Sequence, residues 1–193
     1  MELLKERLRH ECDHVPSDYV LDSFLSLGHE RRYKEEEVVL HVGEFKPLVY
    51  VVKEGVIRIA DMNGLHERTV AFGLEGTVYA SKHSFVKQKP SYYEIIACCS
   101  TVLLEIDRNS LFRWLEENNE GAIWFLRLQL EELYFLEYNN ATVHNGTGID
   151  RFRSLLRTRP EIVGRVSQKA LASYLGITPE YLCRIKKRIH EKS

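Results

Sequence analysis

The sequence predicts an α+β protein: an antiparallel β-roll with flanking helices, then a long helix and a separate all-α C-terminal unit. Three observations predict it. Residues 31–106 hold short runs rich in Val, Ile, Tyr and Phe, broken by turn signals, with no sustained 3.6-residue period. Residues 107–145 switch to apolar steps of three and four. Residues 149–193 then read as three short helices and reverse the charge of the chain.

Leu3, Leu4 and Leu8 at helical spacing predict a short opening helix. A second helix spans 17–27, with Ser17 or Asp18 as cap and Gly28 as stop. Strands follow at 38–42, ending at Gly43, at 48–52, ending near Gly55, and at 56–60, ending in Asn63-Gly64. An Asn-Gly pair tolerates positive φ at both positions and is a strong hairpin signal. Further strands are expected at 69–72, 92–97 and 101–106. Many short strands at near-regular spacing fold as a roll or barrel.

Asp107 or Asn109 caps the next helix, which carries Leu111, Phe112, Trp114 and Leu115. A longer helix begins after Asn118-Asn119. Ile123, Leu126, Leu130 and Leu133 form one apolar side, and Trp124, Leu128 and Phe135 a second. A helix apolar on two sides needs two covers. The roll supplies one. The other is the same helix of a second subunit, which the coiled-coil-like spacing favours, or further core of the same chain. The run 139–148 (NNATVHNGTG) has two glycines, three asparagines and no periodicity, and so reads as a linker. The division expected is a sensor domain at 1–145 and a terminal domain at 149–193.

Composition bounds what the chain does. With 44% hydrophobic and 28% charged residues it resembles an ordinary soluble globular protein. The net charge of −1 hides an asymmetry: residues 151–193 carry eleven Lys/Arg against three Asp/Glu, and the remainder sixteen against twenty-five. An acidic body joined to a basic unit is expected when only one part meets nucleic acid. Cys12, Cys98, Cys99 and Cys183 make no CxxC, so neither a disulfide framework nor a zinc site is expected. The histidines, including His41, His66 and His83, are scattered, and no metal is expected. The N-terminus lacks an apolar signal core, and Arg127, Gln129, Glu131 and Glu132 interrupt the most apolar stretch. A cytoplasmic location without membrane contact follows as the expectation. Nothing pairs a nucleophile with a base, or two carboxylates, at recognisable spacing, so an enzyme is not expected.

In the terminal unit, Asp150 is expected to open a helix that buries Phe152, Leu155 and Leu156 and stops at Pro160. Ser167 caps the second helix, through Leu175. Gly176-Ile177 make a turn, and Thr178 with Pro179 starts a third helix bearing Arg184, Lys186, Lys187 and Arg188. Residues 168–187 match the helix-turn-helix pattern at its demanding positions. Ala172 is small where the helices cross, and Gly176 falls where positive φ is required. Leu171, Leu175, Ile177, Leu182 and Ile185 supply the shared core. A helical hairpin used for protein contacts also has such turns, but no acidic residue lies between Glu180 and Glu191. In a DNA-reading unit the third helix enters the major groove. There Glu180 accepts from cytosine N4 and Arg184 bonds guanine, while Tyr181 and Lys187 meet backbone. Ser167, Gln168 and Lys169 are placed for phosphate; Thr178 and Arg188 complete the contact set.

Over SQKALASYLGITPEYLCRIKK and VYVVKEGVIRIADMNGLHERTVAFGLEG the sequence resembles the Crp/Fnr family of transcription regulators. The order of parts is that family's: a roll of the cyclic-nucleotide-binding type, a dimerisation helix, a hinge and a helix-turn-helix. The resemblance implies that the DNA-reading Glu-x-x-x-Arg pair is Glu180 and Arg184. It implies a homodimer through Ile123, Leu126, Leu130 and Leu133, acting on double-stranded DNA, with RNA polymerase as a further candidate partner. It also implies a ligand pocket near Glu75, Tyr79, Ser81, His83 and Tyr92.

Three departures qualify the resemblance. Cyclic AMP binders of the family carry a Gly-Glu pair and, about ten residues later, Arg-Ser/Thr, which pairs with the cyclic phosphate. Here the corresponding stretches are Gly76-Thr77-Val78-Tyr79-Ala80-Ser81 and Lys89-Pro90-Ser91-Tyr92-Tyr93. They hold neither that Glu nor that Arg, so cyclic AMP is not expected as a tight ligand. Only Cys12 lies near the N-terminus, so no iron-sulfur cluster is expected. The sequence ends at Ser193, directly after the third helix, so the family's β-hairpin wing is expected to be missing. The function expected is a sequence-specific DNA-binding regulator that senses an unidentified ligand or none. The alternative is a ligand-sensing or scaffold protein whose terminal helices contact protein.

Overall fold

Alternating burial along β3 (Leu48–Glu54) organises the body. Tyr50 and Val52 point into the roll, whereas Val49 and Val51 point out against helices, and all four are buried. A strand covered on both faces reads as a continuous apolar run. In the computed structural model, which describes residues 1–62, 67–144 and 146–190, β3 is an inner strand of a four-stranded antiparallel sheet. That sheet also holds β1 (His29–Tyr33), β6 (Val78–Tyr79) and β8 (Thr101–Asp107), in the order β1-β8-β3-β6. The facing sheet is β2-β7-β4-β5, from β2 (Val38–Leu40), β4 (Ile57–Asp61), β5 (Arg68–Gly73) and β7 (Tyr93–Ala97). Leu40, Tyr50, Ile57, Ile95 and Leu103 fill the space between the sheets. The predicted roll is therefore present. The expected Asn63-Gly64 hairpin and His66 lie outside the described residues.

Helices cover the outer face of the first sheet. They are α1 (Glu2–Arg9), α2 (Asp18–Ser26), α4 (Arg108–Glu117) and the start of α5 (Asn119–His144). The expected caps hold. Ser17 accepts from the Val20 amide, and Asp107 from those of Asn109 and Ser110. The Glu120 carboxylate accepts from the Ser17 amide at 2.7 Å and its hydroxyl at 2.9 Å, which ties α2 to α5. Trp124 is fully buried, edge-on to Phe24 with ring centroids 5.0 Å apart. Burying such a ring contributes roughly 2–3 kcal/mol. Gly121 makes the α4–α5 crossing possible, since a Cβ there would sit 2.7 Å from Trp114 Cζ2 and closer still to its neighbour in the ring.

Several elements differ from the sequence expectation. The α5 helix runs to His144, so the proposed linker at 139–148 is helical over its first six residues. Asn costs a propagating helix only some tenths of a kcal/mol relative to Ala, too little to stop it. The helix of the terminal unit, α6 (Gly148–Thr158), is capped by Thr147, not opened by Asp150. Asp150 is the third helical residue and closes a capping box: its carboxylate accepts from the Thr147 amide and hydroxyl, while its own amide donates to Thr147. The strand expected at 38–42 ends at Leu40, and that expected at 56–60 runs from Ile57 to Asp61. The strands β1 and β6, the short helix α3 (Lys82–Phe85) and a 3-10 turn at Pro160–Ile162 were not assigned from sequence.

The terminal unit packs on the roll. Val56, Phe72, Leu74 and Cys98 share one buried cluster with Phe152, Leu171, Leu182 and Ile185.

Candidate nucleic-acid interface and ligand pocket

The helix-turn-helix is built by α7 (Gln168–Tyr174) and α8 (Pro179–His190). Ser167 caps α7 by accepting from the Ala170 amide at 3.1 Å. At the other end the Ile177 amide donates to Ala172 O and the Gly176 amide to Ser173 O, the double closure of a Schellman turn. Gly176 sits at φ +63°, as that turn requires. Arg151 of α6 donates to Leu175 O at 2.8 Å, satisfying another terminal carbonyl. The Thr178 hydroxyl then accepts from the Tyr181 amide at 3.2 Å and starts α8. Leu171, Ala172, Leu175, Leu182 and Ile185 are buried between the helices, and Ile177 is partly so.

Burying that side turns the other outward. Glu180, Arg184, Lys187 and Arg188 lie on an exposed i, i+4, i+7, i+8 stripe, with Thr178 exposed at its head. Tyr181 is half-buried, and the Arg184 guanidinium lies over its ring, 5.5 Å from the centroid. Backbone amide bonding, the Thr178 hydroxyl and the Arg184 charge hold the Glu180 carboxyl below its ordinary range, so it is ionised at neutral pH. Ser167, Gln168 and Lys169 are exposed at the head of α7. The structure thus places all nine predicted contact residues at the surface, Tyr181 only partly.

The predicted pocket residues also come together. Glu75, Tyr79, Ser81, His83 and Tyr92 all line a cavity of about 1160 Å³ between β5, α1, α3, α5 and the terminal unit. Their polar atoms are largely engaged. Ser81 is buried and bonds the Ser91 hydroxyl at 2.8 Å, which donates on to Tyr93 O. His83 stacks on Tyr92 at 3.9 Å, its Nδ1 2.7 Å from Pro90 O and so donating to it. Burial pushes the Tyr79 phenol well above its ordinary range. Burial also pushes Glu75 up, but hydrogen bonds from Arg165 and the Gly55 amide, with the Arg165 charge, outweigh it and hold the carboxyl down at about 2.

The Gly-Glu and Arg-Ser/Thr pairs of cyclic AMP binders are not repeated around α3. The turn ahead of α3 brings no carboxylate for a ribose, and Lys82 on α3 is engaged by Glu132 at 2.7 Å and Gln129 at 3.1 Å. Lysines are point charges, without the bidentate fork of an arginine. Among the described residues no group of three or more His, Cys, Asp or Glu is placed to hold a metal ion, and no helix is long and apolar enough to cross a membrane.

Residues 30–118 match the cyclic nucleotide-binding domain family. Solved structures extend the likeness over the chain. FixK2 from Bradyrhizobium japonicum is 22% identical, with a TM-score of 0.73 over 86% of this chain and 85% of its own. A CooA mutant from Carboxydothermus hydrogenoformans is 16% identical, with a TM-score of 0.72 over 94% and 87%. CLP of Xanthomonas campestris, described as a c-di-GMP-responsive global regulator, is 18% identical, with a TM-score of 0.67 over 91% and 93%. No curated protein matches the sequence. The chain has the Crp/Fnr fold, and the stretch similar to the cyclic nucleotide-binding domain family is its roll.

No local pattern pointed to Arg159, Arg165 and Ser173, which join the terminal unit to the roll. Ser173 Oγ accepts from the Thr69 amide at 2.9 Å and donates to Glu67 O at 3.2 Å, and Arg159 donates to Phe72 O at 3.2 Å. Each partner lies 87 residues or more away in sequence, beyond any local pattern.

Proposed function

We propose that the protein is a homodimeric, sequence-specific DNA-binding transcription regulator of Crp/Fnr type. The observation that carries this reading is the exposed Glu180–Arg184–Lys187–Arg188 stripe on a capped helix whose other side buries Leu182 and Ile185 in one cluster with α7. Glu180 and Arg184 read base edges, and Ser167, Gln168, Lys169, Thr178, Tyr181, Lys187 and Arg188 hold backbone. Residues 1–145 act as sensor and 149–193 as reader. Ile123, Leu126, Leu130 and Leu133 on α5 are 42%, 58%, 49% and 61% exposed, while Trp124 and Leu128 on its other side are buried. That stripe is the second cover site the sequence called for, and its occupant is α5 of a second copy. Paired readers then meet half-sites about 34 Å apart.

The roll binds a ligand other than cyclic AMP. Its occupancy shifts the α5 pair and re-aims the readers about the residues joining α5 to α6. The protein works in the cytoplasm, with no catalytic step of its own, and RNA polymerase is its candidate partner on the promoter.

A gel-shift against duplex DNA at rising salt tests the reading. Binding that weakens about 10³-fold or more between roughly 50 and 200 mM salt is expected for six or more phosphate contacts. No shift on any duplex in dilute buffer would favour instead a scaffold whose terminal helices contact protein.

A further inference from the structure

The cavity does not stop at the roll. Thr158 and Arg159 at the end of α6, and Ser173 and Tyr174 at the end of α7, form one of its walls. Phe72 and Leu74 from β5 and its turn, with Leu128 and Phe135 from α5, form others. The same wall residues dock the terminal unit. Ser173 bonds the backbone of β5, which is an edge strand whose outward groups need a partner. Arg159 bonds Phe72 O, and the Tyr174 ring lies 5.2 Å from that of Phe72. Arg165 lies outside the lining, yet it grips Glu75, which is part of it. A ligand that fills the cavity therefore touches the terminal unit directly as well as α5.

The lining also indicates what fits. Four of its cations face carboxylates: Lys82 has Glu132 at 2.7 Å, Arg7 has Glu75 at 3.8 Å, Arg68 has Asp61 at 3.8 Å and Arg159 has Glu161 at 4.0 Å, while the exposed Lys87 faces none among the described residues. A ligand of fixed negative charge placed at any of these four would have to displace a carboxylate. Elsewhere the walls are ring-rich, with Phe72, Tyr79, Tyr92, Phe135 and Tyr174. Thr69, also in the lining, is 2% exposed and keeps its hydroxyl without a hydrogen-bond partner among the described residues. An apolar body with one hydrogen-bonding group answers both features.

We propose that the cavity is a two-unit site for an uncharged, ring-bearing small molecule, and that its occupancy holds the helix-turn-helix unit docked on β5. This rests on the reading of the roll as a sensor. Linkage makes the converse hold: loosening the docked unit must weaken the ligand.

The test titrates the full chain with the neutral fluorophore N-phenyl-1-naphthylamine, with anilinonaphthalene sulfonate as its anionic counterpart. Three folded variants, checked by thermal melting, are compared with wild type: Tyr79→Ala at the roll end, Tyr174→Leu in the shared wall, and Arg165→Gln, which removes a docking bond to Glu75 from outside the lining. One neutral probe per chain is expected, bound more tightly than the sulfonate and weakened roughly fivefold or more in all three variants, the order expected for losing one aromatic contact or docking bond. Should Tyr174→Leu not fold, Arg165→Gln carries the comparison alone. Loss in Tyr79→Ala with wild-type affinity in the other two would keep the sensor and overturn the shared site. Tighter sulfonate binding would overturn the uncharged class. No saturable binding, or binding unchanged in every variant, would overturn the sensor reading as well.

Discussion

Glu75 and Arg165 are joined by a two-armed ion pair that links the turn after β5 to the segment ahead of α7. One carboxylate oxygen also accepts from the Gly55 amide at 3.0 Å, and Arg165 donates on to Gly55 O at 3.2 Å. Three segments distant in sequence therefore meet on one carboxylate, so its charge state should register in the stability of the whole junction.

The folded-state pKa of Glu75 is about 2, depressed from 4.5. A depressed carboxyl contributes stability that is fully present above the unfolded value and is lost as pH falls towards the folded one. The junction should therefore weaken as pH drops from about 4.5 to about 2. Glu75→Gln keeps the shape and removes the charge, and should cost about 1–2 kcal/mol at neutral pH, reduced from a fully buried pair because solvent reaches Arg165. Urea denaturation from neutral to acid pH checks both points: the variant should lose less than wild type across that window. Parallel acid limbs would remove Glu75 from the account.

Two glycines in left-handed backbone should respond differently to alanine. Gly176 at φ +63° has only Arg151 Nη2, 3.8 Å from where a Cβ would sit, so Gly176→Ala carries backbone strain alone, about 1 kcal/mol. At Gly55, with φ +95°, a Cβ would also lie 2.7 Å from Ser100 O, a backbone atom. Gly55→Ala should cost more than about 3 kcal/mol or prevent folding. Thermal melting of the two variants gives the order, and equal losses would contradict it.

How much of this was legible follows from the range of the interaction. Caps and turns are local, so Ser17, Asp107, Ser167, Thr178 and Gly176 could be placed from neighbouring residues, and the structure has them there. β1 was missed because four of its five residues, His29, Glu30, Arg31 and Arg32, are exposed at a sheet edge and show no alternation. The end of α5 was misplaced because Asn and Thr mark loops by statistics but only slightly oppose a helix already under way. The pocket positions came from the family resemblance, while the docking wall of Arg159, Arg165 and Ser173 depends on pairings that no window of sequence contains.

The apolar stripe on α5 predicts the state of assembly. Leu126 and Leu133 are 58% and 61% exposed in the single chain, and in a symmetric dimer each would be buried by its counterpart. A carboxylate at either position would be desolvated next to its own copy. Leu126→Glu and Leu133→Glu should therefore give monomers in sedimentation equilibrium with the helical circular dichroism signal largely retained. Persistence of the wild-type mass would place the dimer contact elsewhere. A monomer should also lose most of its affinity for a two-half-site duplex, since two linked readers bind far more tightly than one.

Arg184 and Lys187 share one face of α8 but should fail differently. Arg184 lies over the Tyr181 ring, which holds its fork one turn beyond Glu180, and a fixed fork suits the paired acceptors of guanine. Lys187 is an exposed point charge further along the same stripe. Arg184→Ala should lose about 1–3 kcal/mol of discrimination among duplexes that differ at one base pair. Arg184→Lys should recover charge without recovering that discrimination, because neither the fork nor the stacking plane is restored. Lys187→Ala should instead weaken all duplexes alike and lower the slope of log affinity against log salt by about 1. Competition binding over a panel of single-base variants at several salt concentrations reads both effects. If Arg184→Ala left the ranking of duplexes intact and changed only the salt slope, Arg184 would be a phosphate contact, and base reading would pass to Glu180 alone.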